Sequence, residues 1–160
     1  MRTRPTARVL LFSPEGRLLL FQFEDNATGD AGVWWATVGG GMDPGETVLE
    51  AAARELEEET GLTGLELGPV VWTGAHVLTL HGEAVLFRET FVVARAPHEE
   101  TSDGGWTEWE KRCVRQLRWW SPEEIAASDE VIFPPLLRGP LLAEVAAGRY
   151  PDETLTVDLT

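Results

Sequence analysis

The sequence predicts an α+β fold: one domain over residues 1–160, with an antiparallel or mixed sheet covered by helices on both faces. Three observations predict it. Short runs rich in Val, Leu, Thr and Phe recur along the chain, and one segment dense in Ala, Leu, Glu and Arg carries helix signals at both ends. Strand-like and helix-like segments are also mixed in an order that a helix-covered sheet accommodates. With 160 residues, 43% of them apolar, the chain can fill one core of ordinary size.

Thr6 to Phe12 and Arg17 to Phe23 are β-favouring runs joined by Ser13-Pro14-Glu15-Gly16, which reads as a hairpin. Residues 24–32 are polar and glycine-bearing, hence a loop, and Val33 to Val38 forms a short strand running into Gly39-Gly40-Gly41. Thr47-Val48-Leu49-Glu50 has the form of a capping box, so a helix begins there and continues to Thr60 before Gly61 stops it. Leu65 to Leu80 and Ala84 to Ala94 form a second, longer hairpin about His81-Gly82, with Gly68-Pro69 bending its first arm. Pro97 to Lys111 is polar and reads as a long loop, and Arg112 to Trp120 as extended chain. Ser121 caps a short helix over Pro122 to Ala127. Pro134 to Gly148 is helical with a break at Gly139-Pro140, and Pro151 to Thr160 is a tail.

Thirteen basic residues against 27 acidic ones give a net charge of -14. Such a field repels nucleic acid and anionic lipid, which disfavours an extended nucleic-acid partner or a membrane surface. An anionic substrate then needs a local cation. The single Cys113 forms no internal disulfide and offers no zinc-ligand spacing; with no signal-peptide core and no long apolar span, the expectation is a cytoplasmic protein.

The segment from Gly40 to Leu62 concentrates the chemistry. Glu55, Glu58 and Glu59 are spaced i, i+3 and i+4, so their side chains share one face of the helix within a turn and a half. Leu49, Ala52, Ala53 and Leu56 form a separate stripe that can bury against the sheet, leaving Glu50, Arg54 and Glu57 toward solvent. Glutamates in the last turn oppose one another and the negative end of the helix dipole, at about 0.3–1 kcal/mol each when exposed. An acidic surface tolerates that cost, so the spacing by itself is compatible with a solvated face. A hard divalent cation reverses the balance, because Mg²⁺ and Mn²⁺ take oxygen ligands and can activate water beside a phosphate.

The whole segment, G-G-M-D-P-G-E-T-V-L-E-A-A-A-R-E-L-E-E-E-T-G-L, resembles the Nudix box of the Nudix (MutT-like) hydrolases. Gly40, Glu46, Arg54, Glu55, Leu56, Glu58, Glu59, Gly61 and Leu62 fill every fixed position, and the strands before the box and the Trp-Trp-Ser-Pro-Glu-Glu-Ile segment are also similar to members of the family. The resemblance implies an α/β/α sandwich that hydrolyses a pyrophosphate bond in a nucleoside diphosphate linked to another moiety, such as a nucleoside triphosphate, ADP-ribose or a dinucleoside polyphosphate. It further implies that Glu55, Glu58 and Glu59, with the Gly40 carbonyl, bind Mg²⁺ or Mn²⁺, that Glu58 or Glu59 acts on water, and that Arg54 and Glu46 orient the ligands. Several subfamilies take a further glutamate from a downstream loop, for which Glu110 is the candidate. Many relatives pair as homodimers, so self-association is a further expectation. Val38 stands where many relatives have proline, which bears on subfamily.

Outside the box, Trp34, Trp35, Trp106 and Trp109 are candidates for stacking on a nucleobase, against the plainer reading that they pack. Trp35 and Trp109 are the preferred pair. Arg8, Arg88 and Arg95 lie on expected strands and are candidate phosphate cations, Arg88 foremost, each weighed against an ordinary surface role. His76, His81 and His98 share no metal-ligand spacing and receive no role. The alternative to hydrolysis is a noncatalytic nucleotide-sensing module, whose box would be expected to have lost its glutamates.

Overall fold

The structure is a computed structural model describing residues 1–25 and 32–160. The expected loop over 24–32 falls mainly outside the described residues. Strands β1 (Arg2–Phe12), β2 (Leu18–Glu24) and β3 (Val33–Gly41) precede helix α1 (Val48–Thr60), and strands β4 (Leu67–Leu80) and β5 (Glu83–Arg95) follow it. Then come α2 (Glu108–Cys113), β6 (Val114–Trp120), α3 (Pro122–Ala127), β7 (Ile132–Phe133), a 3-10 turn over Pro135–Arg138, α4 (Pro140–Ala146) and β8 (Leu155–Thr156). These strands form one mixed sheet in the order β6-β2-β3-β1-β5-β4-β8, with β7 pairing β3.

Alternation along the strands divides the core in two. Ala7, Val9 and Leu11 of β1 face α1, where Ala51, Ala52 and Leu56 meet them; Leu10 and Phe12 face the other side, under Ile125 of α3, Leu137, and Leu142 and Val145 of α4. Helices therefore cover both faces, as expected. No helix among the described residues is long and apolar enough to cross a membrane.

Four expectations need correction. The first hairpin keeps its turn, with Ser13 N–H donating to Arg17 O at 2.8 Å, but its arms pair only at Phe12 and Leu18. Beyond that point β3 lies between them, so that the main-chain edges of β1 and β2 each pair with it. The loop over 97–111 ends in α2, which runs through the start of the stretch read as extended. Thr107 and Glu110 form a capping box there, the same signature as Thr47 and Glu50. The expected helix from Pro134 begins instead as a 3-10 turn, and the break at Gly139-Pro140 separates it from α4.

The fourth correction concerns α1 itself. Leu49 is 46% exposed and Ala53 is exposed, whereas Ala51, Ala52, Leu56, Glu59 and Thr60 are buried. Ala52 and Leu56 stay buried as expected, but the buried stripe is turned toward Ala51 and Glu59 by roughly half of one residue's 100° step. The roll turns Glu55 and Glu59 inward against β3, so scaffold and acidic cluster share a face.

Candidate active site

Both ends of α1 are fixed by local chemistry. Thr47 Oγ1 accepts the Glu50 N–H at 3.1 Å while Glu50 Oε1 accepts the Thr47 N–H at 3.0 Å. At the other end Gly61 takes φ +79 and returns its N–H to Glu57 O. The exposed C-terminal carbonyls that a helix leaves over find partners in the loop before α2: Trp106 Nε1 donates to Glu59 O at 2.8 Å and Ser102 N–H to Thr60 O at 2.8 Å. That is what the long loop does for the glutamates. It clamps the turn that carries them, so closely that a Cβ on Gly105 would lie 2.7 Å from Glu58 O.

Glu59 is 2% exposed and its Oε1 accepts the Gly39 N–H at 2.6 Å. Burial pushes its carboxyl well above the usual carboxylate range; the Gly39 bond opposes this, and nearby Glu55 and Glu110 add to it. Glu55 is raised as well, mainly by burial, with Arg54 pulling the other way. Its Oε1 would stand 2.9 Å from any Cβ at position 40, so glycine there lets the main chain meet the carboxylate. Glu58 is the most open of the three, its side chain 39% exposed.

Arg54 ties these groups to the loop that precedes them. Its Nε and Nη2 donate to the two oxygens of Glu46 at 2.7 and 2.9 Å, its Nη2 to Gly41 O at 3.0 Å, and its Nη1 to Glu55 and Glu58 at 3.2 and 3.3 Å. The Arg54 bond, helped by the Asp43 N–H, holds Glu46 down to about 2. One planar guanidinium thereby sets the spacing between loop and helix, which a lysine could not do.

The donor set suits a hard divalent ion in kind: all oxygen, with two desolvated carboxyls whose charge lacks full compensation. As they stand, no three acidic or histidine side chains among the described residues close on a common point. Arg54 Nη1 lies against Glu55 and Glu58, and Glu59 is drawn to Gly39. The residues fit the ion in chemistry, and Arg54 engages only one oxygen of Glu55 and one of Glu58, leaving the other of each for an ion.

Of the candidates outside the box, Glu110 is brought beside the cluster. It is 8% exposed, accepts the Thr107 N–H at 2.9 Å, and its charge is near enough to Glu59 to help raise that carboxyl. Its neighbour Trp109 is 40% exposed and stacks on Phe23 at 5.5 Å, with Trp34 on Phe23 at 5.6 Å and Trp106 against Phe21 at 5.9 Å. An aromatic wall thus adjoins the acidic cluster. Trp35 points to the other side of the sheet, 2% exposed, edge-on to Trp120 and donating to Glu130 at 3.1 Å, which leaves it no face for a base. Arg88 is exposed on β5 and makes no ion pair among the described residues. Arg95 closes α4 by donating to Val145 O and Ala146 O at 2.9 and 3.0 Å, and Arg8 pairs with Glu89 at 2.9 Å. Glu89 and His76, to which the sequence lent no signal, join Arg8 in the interior.

A NUDIX domain profile matches residues 2–137, most of the chain and the whole of this arrangement. The chain belongs to the NUDIX family. This NUDIX domain is similar to the RNA pyrophosphohydrolase of Erythrobacter litoralis (strain HTCC2594), 46% identical over 63 residues, which are 39% of this chain and 37% of that protein. It is also similar to the isopentenyl-diphosphate Delta-isomerase of Halorhodospira halophila (strain DSM 244 / SL1), 35% identical over 107 residues, 63% of this chain and 60% of that protein. The matched segment thus spans little over a third of the first relative and three fifths of the second. Among solved structures, that of the E. coli ORF135 protein superposes with a TM-score of 0.59 at 24% identity over 92% of this chain and 94% of that one, a likeness of fold.

Proposed function

We propose that the chain hydrolyses a pyrophosphate bond in a small nucleotide or nucleotide derivative, with Mg²⁺ or Mn²⁺ held by Glu55, Glu58, Glu59 and the Gly40 carbonyl. The observation that carries this reading is the meeting of Glu55 and Glu59, both desolvated carboxyls, with the glycine main chain of β3. Bound there, the ion would neutralise phosphate oxygens and make water more acidic.

The side chains then divide the work. Glu59, held by the Gly39 N–H and with a raised affinity for protons, supports the role of proton acceptor. Glu58, the most solvent-accessible, would hold the ion on the side open to an incoming phosphate. Arg54 and Glu46 keep loop and helix in register and stay out of the chemistry. Trp109, backed by Phe23, offers a face for a base, and Arg88, exposed and without an ion pair among the described residues, is the candidate cation for a phosphate.

A second reading, hydrolysis at the 5′ end of an RNA, is favoured by the similarity to RNA pyrophosphohydrolases. The net charge of -14 and the partial span of that match weigh against it. The test is Glu58→Gln against a panel of nucleoside triphosphates, nucleotide sugars, dinucleoside polyphosphates and 5′-triphosphorylated RNA, with product identification. The variant is expected to lose metal-dependent release of phosphate or nucleotide. Undiminished turnover sinks the mechanism, and a preference for RNA selects the second reading.

A further inference from the structure

The face of the sheet away from α1 carries a buried ionic cluster that the proposed reaction does not use. Glu89 is fully buried on β5; its Oε1 accepts from Thr6 Oγ1 and from Arg8 Nε, both at 2.9 Å, and its Oε2 lies 3.1 Å from His76 Nε2. His76 is 9% exposed and stacks on Phe87 at 5.4 Å. A buried ion pair costs stability beside an apolar filling of the same volume, and the surrounding core of leucines and aromatics would accept such a filling.

Arg8 is the member that reaches beyond the cluster. Its Nη1 donates to Gly39 O at 3.1 Å, and Gly39 N–H donates in turn to Glu59 Oε1 at 2.6 Å. A chain of contacts therefore crosses the sheet from Glu89 through Arg8 and Gly39 to Glu59. The link in its middle is a glycine at φ +131, packed so tightly that a Cβ would lie 2.2 Å from Ala7 O. Gly39 lies in the β1–β3 ladder opposite Arg8, between the pairs Val9–Val38 and Ala7–Gly40, and both its N–H and its C=O are bonded by side chains. Glu59 anchors one of them and Arg8 the other.

We propose that Arg8, locked by Glu89, is a positioning residue for the acidic site: it pins the Gly39-Gly40 peptide, which lies between the amide that holds Glu59 and the Gly40 carbonyl, and so helps to aim both. The inference rests on the metal-binding reading above. It depends on the shape of the guanidinium, since Nε is engaged by Glu89 and Nη1 by Gly39 at a fixed separation. A lysine keeps the charge but donates from a single atom, so it does not reproduce that fixed spacing between the two bonds.

The experiment measures Mn²⁺ affinity by electron paramagnetic resonance, kcat and KM at saturating Mn²⁺, and hydrogen exchange of the Gly39 amide. It compares the wild type with Arg8→Lys, Arg8→Met and Thr6→Val. Both Arg8 variants are expected to bind Mn²⁺ about tenfold more weakly or worse, as for residues that orient metal ligands. They should also lower kcat with KM unchanged and exchange the Gly39 amide faster. Thr6→Val, which leaves both Arg8 bonds in place, keeps wild-type affinity. Should Arg8→Met not fold, Arg8→Met combined with Glu89→Met removes both charges and serves in its place. Wild-type Mn²⁺ affinity and Gly39 exchange in the Arg8 variants overturn the proposal, even if their Tm falls, because that is a purely structural role. A wild type that binds no Mn²⁺ overturns the metal-binding reading, and Gly39 exchange in Arg8→Lys then decides the positioning role alone.

Discussion

Replacing Gly39 with alanine should damage stability and the acidic site together. At φ +131 an L-residue is strained by about 1–3 kcal/mol. The added Cβ would also stand 2.2 Å from Ala7 O and 2.8 Å from Arg8 Cα, both main-chain atoms of the central strand that no side-chain rotation can move aside. Forced overlap of that kind costs roughly another 1–3 kcal/mol, or more where the backbone is held. The two effects together amount to about 2–6 kcal/mol, a large part of the roughly 5–15 kcal/mol that holds a domain folded. Gly45→Ala is the matched control: its φ is +81, yet a Cβ there meets nothing within 4 Å, so it should cost only about 1–2 kcal/mol. Urea unfolding followed by tryptophan fluorescence measures both. A loss near 4 kcal/mol corresponds to a fall in Tm of roughly 8–16 °C for a chain of this size. A loss for Gly39→Ala no larger than that for Gly45→Ala would mean that close approach to β1 is not what position 39 demands, and the reasoning fails.

Two further outcomes can be checked on the purified protein. Burial alone would raise Glu89, but the Arg8 guanidinium and the bonds from Arg8 and Thr6 hold its carboxyl below the usual value of 4.5, so the folded state prefers it ionised. That stabilisation is complete above the unfolded value and drains away as pH falls through the lower folded one. Glu89→Gln should therefore lower Tm at pH 7, by an amount that shrinks once the pH drops below about 4.5; a gap independent of pH would refute the assignment. Trp109→Ala should raise KM by about 5- to 150-fold, the equivalent of roughly 1–3 kcal/mol of stacking, and leave kcat nearly unchanged. Steady-state kinetics on the preferred nucleotide decide it, and an unaltered KM removes Trp109 from the substrate site.

What could be read in the sequence was what depends on near neighbours. The ends of α1 were legible at Thr47, Glu50 and Gly61 because a capping box and a left-handed stop are satisfied within a few residues. The i, i+3, i+4 glutamates were legible for the same reason, and so were the turns at Ser13 and His81. Thr107 and Glu110 carried an equally local signal, hidden only by the polar loop around them. Tertiary structure decided the rest. Which way α1 rolls depends on β3 offering glycine main chain to Glu55 and Glu59, and no periodicity within the helix contains that information. That Trp34 joins an aromatic wall while Trp35 is sealed beneath Trp120 follows from the register of β3, where one residue changes the face. The pairing of Arg8 with Glu89 spans 81 residues and exists only because β1 and β5 lie side by side in parallel. Local chemistry thus determined the acidic helix and its limits, whereas the contacts that aim its carboxylates belong to strands brought together by burial, and only the folded chain reveals them.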